Sequence, residues 1–423
     1  MAKVPGSGAR RAALKMLDVV LRRGETLEQA GGAANGLPSF ADRALARAIA
    51  GEVLRWLVDL DALIDSATRE KLPEDAKARM VLRMMLAQVL RLETPPHAVV
   101  ATALPLLAGG PKRLAHGVFA TLTRQGVELP AVPSLPPKVA QRWGERAEAI
   151  AAGITGPPPL DLRLKAPDLT EEMAVRMQAT SLAPGHLRLP RGASVTDLPG
   201  YEEGSWWVQD LAASIPATLL GAGEGPNGQR RVLDLAAAPG GKTLQLASAG
   251  WDVTALDINA RRMVRLRENL ARTGLSAHTV VADALEWEPS EPFDAILLDA
   301  PCTATGTCRR HPEVVHRIGE RQIAGMVEIQ RAMIRRAVQW LEPGGVFVYA
   351  VCSLEQEEGE EQARWIDSEC GLRPLPVSSK DIPPGIEPTP EGWVRTDPGM
   401  LPEEGGLDGF FIGRWQRPPA GNG

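Results

Sequence analysis

Residues 232–243 read VLDLAAAPGGKT, a short apolar strand that runs directly into a loop of small residues and glycines. Four further short apolar runs follow it, at 253–257, 279–281, 295–299 and 346–349. Between them lie stretches with the apolar spacing of helices, at 243–249, 260–273 and 320–340. Strands that alternate with helices predict a mostly parallel sheet with helices on both faces. In such α/β folds, ligands bind at the carboxyl ends of the strands.

The chain of 423 residues is too long for one ordinary domain. Residues 8–127 are rich in alanine, leucine and arginine, and their apolar spacing predicts an all-helical bundle. Prolines punctuate residues 130–160, which indicates a linker, and the alternating run Leu160–Leu164 begins a predicted small α/β subdomain. The predicted domains are therefore 1–130, 131–203 and 204–418.

Composition and charge narrow the class of protein. Four cysteines give no disulfide framework, so we expect a reducing, cytoplasmic setting. No apolar stretch is long enough to span a bilayer, and none follows Met1–Pro5, so neither a membrane segment nor a signal peptide is expected. The net charge is −5, yet residues 1–130 carry 18 Lys and Arg against 13 Asp and Glu. This basic excess, which includes Arg10, indicates either a nucleic-acid-binding face or a solvated helical face.

The loop that follows the first α/β strand is predicted to bind a cofactor. Its glycines let a ligand approach the backbone, and Asp234, Asp257 and Asp283 end three successive strands. The loop matches neither G-x-x-x-x-G-K-[ST] nor G-x-G-x-x-G, which disfavours a phosphate-bearing ligand. S-adenosylmethionine, a cationic nucleoside without phosphate, suits this set of acids better. The alternative, that the three acids cap turns, is less favoured because they surround one loop.

In this interpretation Asp257 accepts hydrogen bonds from the ribose hydroxyls, and Asp283 lies near the adenine amino group. The predicted cofactor-binding residues are Ala236, Ala237, Ala238, Pro239, Gly240, Gly241, Lys242, Asp257, Asp283 and Asp299.

Two cysteines follow the next two strands, Cys302 in Asp299-Ala300-Pro301-Cys302 and Cys352 in Tyr349-Ala350-Val351-Cys352-Ser353. Either alone is most simply a small buried apolar residue. Zinc binding is disfavoured, because no C-x-x-C or H-x-x-H pair accompanies them. Together at one sheet edge they suit methylation of a pyrimidine at C5. A thiolate that adds to C6 makes C5 nucleophilic, and a proton must later leave C5.

Two neighbouring groups are predicted to assist this chemistry. Lys242 supplies a positive charge that favours a thiolate. Asp299 is placed to hydrogen-bond the N3/N4 edge of cytosine, which requires a proton shared with or donated by that carboxyl. The acidic run 355–361 is expected to be an exposed first helical turn, apart from Glu357.

At these positions the chain resembles the Sun family of RNA cytosine-C5 methyltransferases. The matching stretches are 208–212, 234–243, Asp257, Asp283, 299–302 with 305–306, 310–313, 349–353 with Glu357, and 408–412. Val351 and Thr303 stand where that family usually has Thr and Ser. The resemblance implies a Rossmann-like S-adenosylmethionine methyltransferase domain in which Cys352 is the nucleophile and Cys302 assists release.

The N-terminal third resembles NusB, a helical RNA-binding domain, at residues 42–43, 82–84 and 96–99. Fusion of the two domains is characteristic of bacterial 16S rRNA methyltransferases, so the implied partner is 16S rRNA or an assembling small ribosomal subunit, bound by a monomer. A tRNA or another rRNA remains open as substrate, and so does a non-catalytic assembly factor. In DNA-type cytosine methyltransferases the Pro-Cys cysteine is the nucleophile, which would make Cys302 essential and leave Cys352 without a role.

Overall fold

The structure, a computed structural model, describes residues 6–192, 194–225 and 228–419, so Met1–Pro5, where no leader was predicted, lies outside it. The chain divides into two compact units. One contains the residues up to Pro157 together with Cys308–Ile318, and the other contains Pro158–Thr307 and the residues from Gly319 onward. The domain boundaries predicted at 130 and 203 stay predictions.

The first unit is all-helical, which confirms the fold predicted for the N-terminal third. Its helices are α1 (Ser7–Arg23), α2 (Leu27–Ala30), α3 (Phe40–Arg55), α4 (Leu57–Ser66), α5 (Lys77–Leu90), α6 (Pro96–Ala103), α7 (Gly109–Gln125), α8 (Pro137–Trp143), α9 (Ala147–Gly153) and α14 (Val314–Arg317). Helix α5 is buried along most of its length, and α1, α3 and α7 pack around it. Helices α3 and α4 are separate, because the backbone leaves helical geometry at Trp56.

Arg10 lies in the interior of this unit and not on a basic face. It is 6% exposed, and its Nε donates to Gln88 Oε1 at 2.7 Å. A buried guanidinium needs such partners, so Arg10 contributes to packing between α1 and α5.

The second unit begins with a three-stranded antiparallel sheet in the order β2-β1-β3, formed by β1 (Leu160–Leu164), β2 (His186–Leu189) and β3 (Trp206–Val208). Helix α10 (Thr170–Met177) packs against it, as predicted for a small α/β subdomain. Arg188 donates two hydrogen bonds of 2.7 Å to the buried carboxylate of Asp161. Asp161 also accepts from the backbone of Leu211, at the start of the next helix.

The remaining elements form the predicted α/β fold. Its helices are α11 (Leu211–Thr218), α12 (Gly241–Ser248), α13 (Ala260–Thr273), α15 (Glu320–Gln339) and α16 (Glu360–Glu369). Its strands are β4 (Glu224–Gly225) and β5 (Gly228–Gln229), a small hairpin, then β6 (Arg231–Leu235), β7 (Asp252–Asp257), β8 (His278–Val281), β9 (Phe293–Asp299), β10 (Leu341–Val351), β11 (Arg373–Pro374), β12 (Val394–Thr396) and β13 (Phe410–Gln416).

The large sheet has the order β11-β13-β10-β9-β6-β7-β8, with β12 paired to β13. Strands β6 to β10 run parallel, and β13 is antiparallel to β10. The chain builds outward from β6 in one direction through β7 and β8, and then in the other through β9 and β10. The strand order therefore reverses between β6 and β9, which is where such sheets bind ligands.

Alternate residues of the central strands enter different apolar clusters. Leu233 and Ile296 pack with residues of α15 and α16, whereas Val232 and Leu297 pack with residues of α11 and α12. Because successive side chains of a strand point to opposite faces, both faces of the sheet are covered by helices.

Candidate active site

The predicted cofactor loop leaves the carboxyl end of β6 and enters α12. Ala236 has a left-handed φ of 58°, and the Ala238–Pro239 peptide bond is cis. Gly240 has a φ of +110°, and a Cβ added to it would lie 2.8 Å from Leu266 Cγ. Only glycine fits this position without displacing the loop or α13.

The acids at the strand ends have different surroundings. Asp257 Oδ2 accepts from the Ala238 backbone N–H at 3.0 Å, and its Oδ1 accepts from Asn259 N–H at 2.7 Å. The carboxylate thus fixes the loop and keeps lone pairs for further donors. Asp283 Oδ1 accepts from Leu285 N–H at 2.9 Å and so caps a turn after β8.

Asp234 lies one residue before the end of β6, beneath the loop, and is fully buried. Thr243 donates to its Oδ2 at 2.6 Å, whereas Oδ1 has no hydrogen-bond partner among the described residues. Burial raises the pKa of Asp234 to about 7. A buried oxygen without a partner beside a close-approach loop fits a ligand with hydrogen-bond donors or positive charge, as S-adenosylmethionine has.

Lys242 and Asp299 form an ion pair at the point where the strand order reverses. Lys242 Nζ lies 2.7 Å from Asp299 Oδ2 and 5.3 Å from the centre of the Phe410 ring. Burial acts to lower the pKa of Lys242, but the nearby charges of Asp299 and Cys352 outweigh it and raise that pKa. Lys242 is therefore a buried ammonium whose charged form is favoured by its neighbours.

The two cysteines are brought together across β9 and β10, which the sequence could place only at the same sheet edge. Their Sγ atoms are 3.4 Å apart, within hydrogen-bond distance for sulfur. The hydrogen bond with Cys352, burial, and the charge of Glu358 raise the pKa of Cys302 well above its ordinary value. These influences favour the protonated thiol of Cys302 over its thiolate.

The C-terminal stretch at 408–412 supports the loop after Cys302. Gly409 N–H donates to Gly306 O at 2.8 Å, and Gly306 N–H donates to Cys352 O at 3.0 Å. A Cβ on Gly306 would lie 1.9 Å from Gly409 O, so the two backbones touch. This contact explains why two glycines far apart in sequence accompany the cysteines.

Two buried acids near the cysteines were missed by the sequence analysis. The run 355–361 was expected to be an exposed first helical turn, but α16 begins only at Glu360, and Glu355 and Glu358 are buried at 1% and 0% exposure. Glu357, singled out from the resemblance, is half-buried. One sign in the sequence indicated that Glu358 could belong to the site, because it lies shortly after Cys352, the candidate nucleophile.

The stretch at 310–313 belongs to the helical unit, since the chain contributes Cys308–Ile318 to it. Glu313 Oε1 accepts from the backbone of Leu27 at 2.9 Å, and a ring nitrogen of His316 lies 2.7 Å from Leu54 O. These side chains anchor the segment among the helices, so His316 has a structural partner.

Within residues 6–192, 194–225 and 228–419 there is no group of three or more His, Cys, Asp or Glu side chains arranged to hold a metal ion. Over the same ranges, no helix has both the length and the apolar character needed to cross a bilayer.

The parallel sheet, the loop at its reversal point and the acids at successive strand ends together define an S-adenosylmethionine-dependent methyltransferase. Comparison with known proteins narrows this class. The family described as 16S rRNA methyltransferase RsmB/F matches residues 224–416, and the NusB family matches residues 7–108.

Two relatives named ribosomal RNA small subunit methyltransferase B match almost the whole chain. The protein of Xylella fastidiosa (strain Temecula1) is 34% identical, covering 97% of this chain and 98% of the relative. That of Pseudomonas syringae pv. tomato is 32% identical, covering 96% of each. A solved methyltransferase homolog protein from Pyrococcus horikoshii is 27% identical with a TM-score of 0.55, covering 70% of this chain and 98% of that one. The chain therefore belongs to the RsmB/F family of 16S rRNA methyltransferases, and the resemblances to the Sun family and NusB are confirmed.

Proposed function

We propose that this protein methylates C5 of a cytosine in RNA, and that the RNA is 16S rRNA, free or in an assembling small subunit. Its relatives are named for the small-subunit ribosomal RNA. S-adenosylmethionine supplies the methyl group when bound. The loop residues 236–242 with Asp257 and Asp283 would hold it, beside the buried Asp234 Oδ1, which has no hydrogen-bond partner among the described residues.

The observation that carries this proposal is the pair of sulfurs 3.4 Å apart. The hydrogen bond with Cys352 and burial raise the pKa of Cys302, which disfavours Cys302 as the attacking thiolate. The family resemblance assigns the attack on C6 of the cytosine to Cys352. A C6–S bond forms and C5 becomes nucleophilic. After methylation the C5 proton passes to a water molecule, the electron pair of the broken C5–H bond re-forms the C5–C6 double bond, and the C6–S bond breaks with its electron pair returning to the Cys352 sulfur. The Cys302 S–H group assists this release by donating a hydrogen bond to the departing sulfur.

The ion pair beside the cysteines serves the same reaction. The Lys242 ammonium favours the thiolate of Cys352 and holds Asp299 in place through the 2.7 Å contact. Asp299, at 29% side-chain exposure, stays accessible to the N3/N4 edge of an extruded cytosine. The two cysteines, Lys242 and Asp299 all come from one chain, so we expect a monomer to be active.

The helical unit is proposed to bind the RNA backbone. A groove of about 770 Å³ along α1 and α5 is lined by cationic side chains, namely Arg11, Lys15, Arg22, Arg23 and Lys77. Arg22 is paired with Asp18 at 3.1 Å. The remaining cations suit phosphate contacts whose strength falls as salt rises. A reducing cytoplasm, as predicted from cysteine content, keeps both catalytic thiols free.

A tRNA or another rRNA is the alternative substrate of the same reaction. A non-catalytic assembly factor is the alternative of a different class, and the paired thiols with their buried ammonium argue against it. In the DNA-type assignment Cys302 would be the nucleophile, but the raised pKa of Cys302 disfavours its thiolate.

The test uses radiolabelled S-adenosylmethionine and total RNA from cells that lack this enzyme. We expect label in 5-methylcytidine after nuclease digestion and chromatography, and mapping of labelled fragments to 16S rRNA. Cys352→Ala should abolish labelling, whereas Cys370→Ala, a matched change at a half-buried cysteine at the end of α16, should retain it. Label confined to tRNA would select the alternative substrate, and no label in any RNA would contradict the proposed activity.

A further inference from the structure

Glu358 lies directly behind the cysteine pair, and its carboxyl receives four hydrogen bonds. Oε1 accepts from the backbone N–H of Thr303 and from Gln330 Nε2, both at 2.9 Å. Oε2 accepts from the hydroxyls of Ser353, at 2.5 Å, and Thr303. The backbone O of Glu358 accepts from Tyr349 Oη at 2.7 Å, which fixes the residue to β10.

The donors identify what this carboxyl connects. Thr303 follows Cys302 after β9, and Ser353 follows Cys352 after β10. One side chain therefore joins the two loops that present the two sulfurs. The hydroxyl that the family usually has as Ser after the first cysteine is present here as Thr303 and makes one of these bonds.

Joining two loops through a buried carboxyl costs free energy, because the carboxyl loses its contact with water. Glu358 is 0% exposed, and none of the described Lys, Arg or His side chains forms an ion pair with it. Burial raises the pKa of Glu358, although the hydrogen bonds from Ser353, Thr303 and Gln330 act to lower it. Its charge is also among the causes that keep the proton on Cys302. Such groups are concentrated where a site needs them.

We propose that Glu358 is a positioning residue of the two-cysteine centre, whose hydrogen bonds to Thr303 and Ser353 hold the Cys302 and Cys352 sulfurs in contact. It touches neither substrate nor cofactor and acts through the two loops. The inference builds on the proposed function, since contact between the sulfurs matters for release of the methylated base.

The contact can be measured without RNA. One molecule of oxidised glutathione converts the two thiols to a disulfide and is itself reduced to two molecules of glutathione. The equilibrium constant of this exchange reports how well the protein holds the sulfurs together. Mass spectrometry of peptides assigns the disulfide to Cys302 and Cys352 and excludes Cys308 and Cys370.

We expect Glu358→Ala to lower this equilibrium constant at least tenfold, a shift of about 30 mV at 29.6 mV per tenfold change. Glu358→Gln keeps hydrogen-bonding capacity and should stay within threefold of the wild type. Glu361→Gln, which neutralises an exposed acid in the first turn of α16, should do the same. If Glu358→Ala does not fold, the smaller Thr303→Val and Ser353→Ala double change removes both hydroxyl bonds and should lower the constant in the same direction.

Catalysis provides the second readout. In single-turnover methylation we expect Glu358→Ala to slow transfer at least tenfold, with S-adenosylmethionine affinity within threefold of the wild type and recovery in Glu358→Gln. An unchanged glutathione equilibrium in both Glu358→Ala and the double variant would overturn the positioning role. A lowered equilibrium in a protein whose wild type labels no RNA would leave that role standing and refute the proposed function instead.

Discussion

Asp234→Asn is predicted to stabilise the protein above neutral pH while it weakens cofactor binding. The carboxyl is fully buried, and its Oδ1 has no partner among the described residues. Burial raises its pKa from 3.8 to about 7. The difference of about 3 pKa units corresponds to about 4 kcal/mol, at 1.36 kcal/mol per unit. The free energy of unfolding of the wild type is lower by this amount when Asp234 is ionised.

The pH window follows from the direction of the shift. The folded-state pKa lies above the unfolded-state value, so between about pH 4 and 7 the folded protein holds a proton that the unfolded chain has lost. The free energy of unfolding of the wild type therefore falls by about 1.4 kcal/mol per pH unit as pH rises through this window. Asp234→Asn has no such slope, because its amide does not titrate.

The side-chain amide introduced by Asp234→Asn also lowers the free energy of unfolding. Asn keeps the hydrogen bond from Thr243 but buries an N–H₂ group without a partner, which costs about 1–3 kcal/mol. We therefore expect the variant to lie within about 1 kcal/mol of the wild type at pH 5 and to be more stable by about 1–3 kcal/mol at pH 8. Affinity for S-adenosylmethionine should fall at least tenfold, because the free acceptor and its charge are lost.

Urea denaturation of the cofactor-free protein at pH 5 to 8 measures the effect. Tryptophan fluorescence follows chiefly the α/β unit, which holds eight of the ten tryptophans. Asp252→Asn, at an exposed acid that begins β7, is the matched control and should keep the wild-type slope. Parallel pH dependence of the wild type and Asp234→Asn would refute the reasoning.

Two other changes test separate parts of the structure. Burial acts to raise the pKa of Asp161, but hydrogen bonds from Arg188 lower it to about 2. The ionised carboxylate therefore stabilises the folded protein above about pH 4, and this stabilisation is lost as the pH falls toward 2. Asp161→Asn should cost about 2 kcal/mol at pH 7 and flatten the acid limb of a circular dichroism titration; an unchanged limb would contradict this. Gly240→Ala, whose Cβ would meet Leu266 at 2.8 Å, should weaken S-adenosylmethionine binding at least tenfold by calorimetry. Gly344→Ala, at a φ of +84° with open space around it, should leave binding unchanged, and equal affinities for both variants would count against the close-approach role.

The strands and helices that position the site were predictable because local patterns determine them. The helix at 260–273 has the predicted bounds, and the apolar runs at 232–235 and 295–299 lie in β6 and β9. Strand β10 begins at Leu341, earlier than predicted, because the glycines before Val346 interrupt the apolar pattern in the sequence. The pairing register against β9 also shifts between Leu341 and Val346.

Contacts between distant elements were not predictable from one sequence. The common sheet edge of Cys302 and Cys352 followed from strand alternation, but their 3.4 Å separation depends on how the two loops pack. The buried carboxyl of Glu358 accepts a hydrogen bond from Gln330 of α15, a partner 28 residues away in sequence. Arg10 is interior because α1 packs on α5. The proposed roles of the cofactor and cysteine residues stay predictions.

The covalent mechanism is tested most directly by trapping the protein–RNA adduct. Wild type, Cys302→Ala and Cys352→Ala are each incubated with S-adenosylmethionine and labelled 16S rRNA and then run on denaturing gels. We predict that Cys302→Ala accumulates a covalent complex, with the modified peptide containing Cys352, and that Cys352→Ala is inactive and forms none. A complex that forms through Cys302 in the Cys352→Ala variant would contradict this assignment of the nucleophile, and full methylation by Cys352→Ala would contradict the mechanism itself.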